Sequence, residues 1–262
     1  MSDAAVSSSA TSPVLLSAVG LEKRYGRTLA LAGVSLQARP GEVLCVIGPN
    51  GAGKTTLIQL LAGIVFPSAG HVTVFGLHRW KDNFAIRQRS TVLLADPIVG
   101  ASPTPYEFLR FMAQIYGMPK ERFLERTETL AREMALLDHL HKGWEELSLG
   151  MTKKAGLIGC FLPPADLRIL DEPFAGGIDP IGMEALYRWM DAARGRGETI
   201  VFSTQVLDQA DQVSDRLLVL REGELVANAA PEAVIRQAGV DPAEPRALAR
   251  AFVALTGGGG EG

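Results

Sequence analysis

Short apolar runs alternate with longer amphipathic stretches along most of the chain. GEVLCVIG, HVTVFG, STVLLAD, ADLRILDEP, ETIVFST, DRLLVLREG and ELVANAA read as strands, bounded by polar or glycine-containing breaks. Between several of them lie stretches with helical period, such as KTTLIQLLAGI and GMEALYRWMDAARGRG. Continuous apolar strands separated by helices predict an α/β fold whose sheet is mostly parallel and covered on both faces. Residues 104 to about 162 break the rhythm: TPYEFLRFMAQIYGM, ERFLERTETLAREMALLDHL and GMTKKAGLIGCFL are helical in period with no strand between them. A helical subdomain inserted into the α/β core is therefore expected. No repeat with a period of roughly 20–50 residues is present.

Composition narrows this picture only a little. The chain's 262 residues can bury a sizeable core, and 26 basic against 29 acidic side chains give a formal net charge of −3. That balance argues against a protein whose whole surface is built for nucleic acid but leaves room for a local basic patch; no nucleic-acid partner is expected. Cys45 and Cys160 sit in apolar surroundings without metal-ligand spacing and read as buried thiols of a reducing compartment. The opening MSDAAVSSSATS lacks the order of a secretory signal, and both it (1–12) and the closing GGGGEG stretch (257–262) read as disordered tails. No apolar run approaches the ~18 residues that span a bilayer. Action at a membrane would need a partner chain.

GPNGAGKTT changes the picture most. It follows the apolar run Val43 to Ile47, opens a helix-like segment and matches G-x-x-x-x-G-K-[ST] in full. In such a loop (Gly48, Pro49, Asn50, Gly51, Ala52, Gly53, Lys54, Thr55 and Thr56), glycines let backbone N–H groups converge on phosphate oxygens, and the helix N-terminus adds positive potential. Lys54 would reach the β and γ phosphates, and the Thr55 hydroxyl would ligate Mg²⁺. A purely structural glycine turn would have no reason to carry Lys-Thr after its last glycine.

In LRILDEP the apolar run ends in Asp171 and Glu172, at the strand end where ligands of open α/β sheets gather. Asp171 is the candidate magnesium partner, and Glu172 the candidate base that polarises an attacking water. Arg168, inside this run, calls for snorkelling or an acidic partner elsewhere in the sequence. The strand ETIVFST stops at Thr204 and Gln205, and Gln205 either caps the following helix or faces the reacting centre.

With these motifs in order, the chain resembles the ATP-binding cassette (ABC) family, closely so the nucleotide-binding subunits of bacterial ABC transporters, from about Leu15 to Thr256. Tyr25 falls where that family stacks an aromatic on adenine, although an ordinary strand tyrosine would look the same. ELSLGMTKK, with Ser148 and Gly150, is similar to the signature sequence, carrying Leu149 and Met151 where glycine and glutamine are usual. Ser148 also suits a helix N-cap. GGIDP, with Asp179, resembles the loop that crosses to a second subunit. The resemblance implies a P-loop core over 13–95 and 165–256 with an N-terminal antiparallel β subdomain, and a helical signature subdomain over 96–164. It implies ATP and Mg²⁺ as ligands, and complete sites formed only between two subunits, identical or not.

Two departures stand out. The family usually places histidine where this chain has Gln205, a residue that hydrogen-bonds but does not become a cation. Its Q-loop glutamine falls at Ala95, with Asp96 adjacent as a substitute. The resemblance implies a cytoplasmic ATPase subunit, peripheral to the plasma membrane through a membrane-spanning partner; the closing EPRALARAFVALTG resembles exporter-type subunits. Ala95 and Gln205 leave open a regulatory subunit that hydrolyses slowly or not at all. A soluble family member of DNA repair or translation would carry a long coiled-coil insertion or a second cassette, and neither appears.

Overall fold

The computed structural model describes residues 14–95 and 102–257. The expected tail 1–12, residues 258–262 of the expected closing tail, and Asp96 lie outside them. Gly257 lies inside: in the left-handed region (φ 66°) it ends the last helix, α9 (Ala247–Thr256), as a glycine C-cap.

Among the described residues the strands form two sheets. The first is antiparallel, in the order β2-β1-β4-β5, from β1 (Leu16–Tyr25), β2 (Thr28–Ala38), β4 (Ala69–Val74) and β5 (Leu77–His78). HVTVFG belongs here, not with the parallel strands: Val72 lies opposite Ala18 and Val74 opposite Leu16. Val72 and Val74 are buried while Thr73 between them is only half-buried, the one-faced pattern of an antiparallel strand.

The second sheet runs β10-β9-β3-β8-β7-β6. It contains β3 (Val43–Ile47), β6 (Ser90–Leu93), β7 (Leu167–Leu170), β8 (Thr199–Ser203), β9 (Arg216–Arg221) and β10 (Glu224–Ala229). Every pairing is parallel except the edge hairpin of β9 with β10. The central strands β3, β7 and β8 are buried at every position, as continuous apolar runs require. Alternate residues of β3 enter opposite cores. Val43, Cys45 and Ile47 join the core that includes α3 (Pro105–Ile115), α4 (Lys120–Glu133), α5 (Leu149–Phe161) and α6 (Pro180–Gly195). Leu44 and Val46 join the core beneath α1 (Lys54–Leu61) and the antiparallel sheet.

Arg168 has an acidic partner, Glu198, 2.8 Å away at the start of the neighbouring strand. It also donates to the Thr91 hydroxyl and to the carbonyls of Cys160 and Pro163, and its guanidinium lies over the Phe161 ring. The buried charge is thus paired and hydrogen-bonded, as burial demands. Both cysteines are buried and free; burial pushes the Cys160 thiol up to about 12, so it stays protonated and inert.

Candidate functional site

Parallel order brings the C-terminal ends of β3, β8, β7 and β6 side by side on one edge of the sheet. β3 leads into the glycine loop, β8 into Thr204 and Gln205, β7 into Asp171 and Glu172, and β6 into Leu94 and Ala95. Residues far apart in sequence therefore converge where open α/β sheets bind ligands.

The loop wraps over the start of α1. Gly51 and Gly53 take positive φ (79° and 100°), and a Cβ on Gly53 would sit 2.5 Å from the Ala30 carbonyl. A Cβ on Gly48 would come within 2.6 Å of the Leu220 carbonyl. Glycine is needed at both for close backbone approach. No side chain caps α1 and no acid occupies its first turn, so its N–H groups remain available to an anion. Lys54 is buried and folds back across the loop, donating to the carbonyls of Gly48 (2.8 Å) and Pro49 (3.1 Å). Burial lowers its ammonium below lysine's usual value, and the charges of Glu172 and Asp171 oppose that shift. Pro49, Asn50, Gly51 and Thr55 are exposed, Thr56 is half-buried and Ala52 is buried.

Asp171 is 1 % exposed. Its Oδ1 accepts from the Ser203 hydroxyl at 2.5 Å, whereas its Oδ2 is buried without a hydrogen-bond partner among the described residues. Ser203 Oγ also accepts the Glu172 N–H at 2.9 Å. Glu172 sits in the left-handed region (φ 47°), costly for a residue with a Cβ, and its Oε1 is likewise buried and unpaired among the described residues. Two orphaned carboxylate oxygens in one corner are what a divalent cation and a polarised water would satisfy. Ser203, which organises both acids, carried no sequence motif; only the pairing of β7 with β8 reveals it.

Gln205 does not cap the following helix, α7 (Leu207–Val213). The Thr204 hydroxyl accepts the Val206 N–H at 3.1 Å and meets the Gln209 amide, leaving Gln205 exposed at the sheet edge. Ala95 is exposed and contributes only its carbonyl, which accepts from Lys153 at 3.0 Å.

Tyr25 ends β1, 47 % exposed, with the Lys23 ammonium 4.9 Å from its ring centre. Its hairpin abuts the glycine loop through Ala30, the residue that crowds Gly53. The remaining candidates form a second group. Ser148 N-caps α5, accepting the Met151 N–H at 3.2 Å. A Cβ on Gly150 would overlap the Gly177 carbonyl, so glycine lets α5 seat against the 176–182 turn. Asp179 N-caps α6, accepting the Gly182 N–H at 2.8 Å and pairing with Lys154 at 2.6 Å.

An edge that can hold a triphosphate and a divalent cation side by side places the chain among P-loop nucleotide-binding proteins. Comparison with known proteins defines the family. Residues 31–175 match the family model described as ABC transporter. The daunorubicin resistance ATP-binding protein DrrA3 of Streptomyces coeruleorubidus is 31% identical over 85% of this chain and 70% of its own. The ABC-type transporter ATP-binding protein EcsA of Bacillus subtilis (strain 168) is 32% identical over 81% of this chain and 86% of its own. A solved structure titled "Structure of ATP binding subunit of ABC transporter" superposes with a TM-score of 0.85 at 29% identity, covering 92% of this chain and 99% of that one. The chain belongs to the ABC transporter family as an ATP-binding, ATP-hydrolysing subunit. Subunits of this family dimerise and work with a membrane partner. No helix among the described residues is long and apolar enough to cross a membrane.

Proposed function

We propose that this subunit binds ATP with magnesium at the β3, β7 and β8 edge and hydrolyses it slowly while driving a separate membrane-spanning partner. The observation that carries this is the pair of buried, unpartnered carboxylate oxygens on Asp171 and Glu172 beside the Lys54 loop. Lys54 and the amides of Gly51 to Thr56 hold the β and γ phosphates, and Tyr25 stacks on the adenine. Thr55 and Asp171 would hold Mg²⁺, which when bound neutralises charge on the phosphates. Glu172, fixed by Ser203 through its N–H, polarises the attacking water and accepts its proton as the water oxygen bonds to the γ phosphorus and the bond from that phosphorus to the β–γ bridging oxygen breaks, releasing ADP and inorganic phosphate. Gln205 donates to the γ phosphate; as a neutral amide it stabilises the developing charge less than a cation does.

Ser148, Gly150 and Asp179 complete the site of a second subunit, identical or different, so that ATP closes the dimer and hydrolysis reopens it. A groove of about 460 Å³ between the end of α1, α2 (Asn83–Arg87) and α3 exposes Ile64, Phe84 and Ile115. It suits a cytoplasmic loop of the membrane partner, which would hold this chain at the inner face of the plasma membrane. The boundary between core and helical subdomain is proposed at residues 95–96 and 164–165. A second reading, a regulatory subunit that closes on ATP with little or no turnover, is favoured by Ala95 and Gln205.

Glu172→Gln keeps the shape of the site and removes its base. Turnover should stop, and with saturating ATP and magnesium the variant should elute from gel filtration as a dimer. A variant that hydrolyses at the wild-type rate would remove Glu172 from the mechanism; one that stays monomeric at low salt would remove the closure step.

A further inference from the structure

Two adjacent lysines in the first turns of α5 are buried, Lys153 at 2 % and Lys154 at 4 % exposure. Burying an ammonium is costly unless it is paired or hydrogen-bonded. Lys154 meets that cost with Asp179 at the head of α6. Lys153 reaches instead into the sheet edge that carries the reacting groups. Its Nζ donates to the carbonyl of Ala95 at 3.0 Å, and lies 3.4 Å from the carbonyls of Leu94 and Asp171. One cation thus touches the end of β6 and the end of β7, on the main chain of the residue whose Oδ2 lacks a partner.

We infer that Lys153 is a positioning residue for hydrolysis, tying the Ala95 turn and the Asp171–Glu172 turn to the signature helix. The inference rests on the proposed ATP site. Ala95 has only a methyl group, so its side chain can make no hydrogen bond; Lys153 grips this turn through main-chain carbonyls, which do not depend on the side chain. The same helix begins at Ser148 and packs on the 176–182 turn through Gly150. A shift of α5 would therefore be passed to the carboxylates through Lys153 and to the head of α6 through Lys154. Lys153 acts here through the main-chain carbonyls of Leu94, Ala95 and Asp171. Its loss should displace Glu172 without emptying the nucleotide pocket, because Lys54 and the glycine loop are held by other contacts.

The test is single-turnover hydrolysis on the purified full chain in excess over ATP, with affinity measured separately by a fluorescent ATP analogue and melting followed alongside. Lys153→Met keeps the length and loses charge and donors. The single-turnover rate should fall on the order of tenfold to a hundredfold, as a small misplacement does, with affinity changed less than about threefold and Lys153→Arg recovering most of the rate. If Lys153→Met does not fold, Lys153→Gln, which keeps donors on a shorter stem, should show the same split in milder form. An unchanged rate in the variant that folds overturns the inference. So does a parallel loss of rate, affinity and melting temperature that Lys153→Arg does not relieve, since that marks a packing role. Lys54→Ala in the same assay separates the two claims: if it binds the analogue as wild type does, the site assignment fails whatever Lys153 shows.

Discussion

The two halves of the proposed nucleotide site are finished to different degrees. The Asp171–Glu172 corner keeps two buried oxygens unpaired and a glutamate in left-handed backbone. At the heads of α5 and α6, by contrast, Ser148 caps its own helix, Asp179 caps its own and pairs with Lys154, and Gly150 is filled by the backbone of Gly177. An unpaired buried oxygen costs about 1–3 kcal/mol, so the first half is stable only because the rest of the fold holds it and becomes favourable when ligand arrives. The second half is satisfied within one chain and would present a finished surface to the proposed second subunit. On the proposed assignment, affinity for nucleotide resides in the first half, while the second half sets what a second subunit would meet.

Replacing Lys54 with Ala strikes the first half hardest. A charged donor to phosphate is lost, and ATP should bind about tenfold to a hundredfold more weakly, read by titration of a fluorescent analogue, with the circular dichroism spectrum unchanged. Ser203→Ala is next. It leaves Asp171 Oδ1 and the Glu172 N–H without their shared partner, and the rate should fall about tenfold while ATP binding persists. An unaltered rate would mean that the carboxylates are held by β7 alone. Asp179→Asn probes the second half and should be mildest. The hydrogen bond from Lys154, then that from the Gly182 N–H, hold this exposed carboxyl below its usual range. A depressed carboxyl stabilises above its unfolded value and loses that stabilisation as pH falls through the lowered folded value. The melting temperature of Asp179→Asn should therefore trail wild type near neutral pH and converge with it under acid, in a paired pH series; parallel curves would sever Asp179 from the cap.

The first half was largely legible in the sequence and the second only in part. The glycine loop announces itself because phosphate binding demands glycines and Lys-Thr at fixed local spacing, and the two acids because they end an apolar run. Ser203 and Lys153 were illegible for the opposite reason. Ser203 acts from the neighbouring strand and Lys153 from a helix, on residues 18 to 59 positions away, and no local pattern records which element lies beside which. Arg168 looked wrong for a buried strand until Glu198, 30 residues on, closed the pair. HVTVFG was placed as a strand but with the wrong neighbours, since a short apolar run does not specify its sheet. Only the fold could show that Thr204, and not Gln205, makes the turn into α7.

On the proposed function, Gln205 stands at the reacting centre and slows a working ATPase. Gln205→His restores a donor that can carry charge. Single-turnover ATP hydrolysis by wild type, Gln205→His and Glu172→Gln, measured together, tests it most directly. Wild type should turn over slowly but above the Glu172→Gln blank, and Gln205→His should gain several-fold, up to about tenfold or 1.4 kcal/mol, at unchanged ATP affinity. A wild type already as fast as Gln205→His would contradict it.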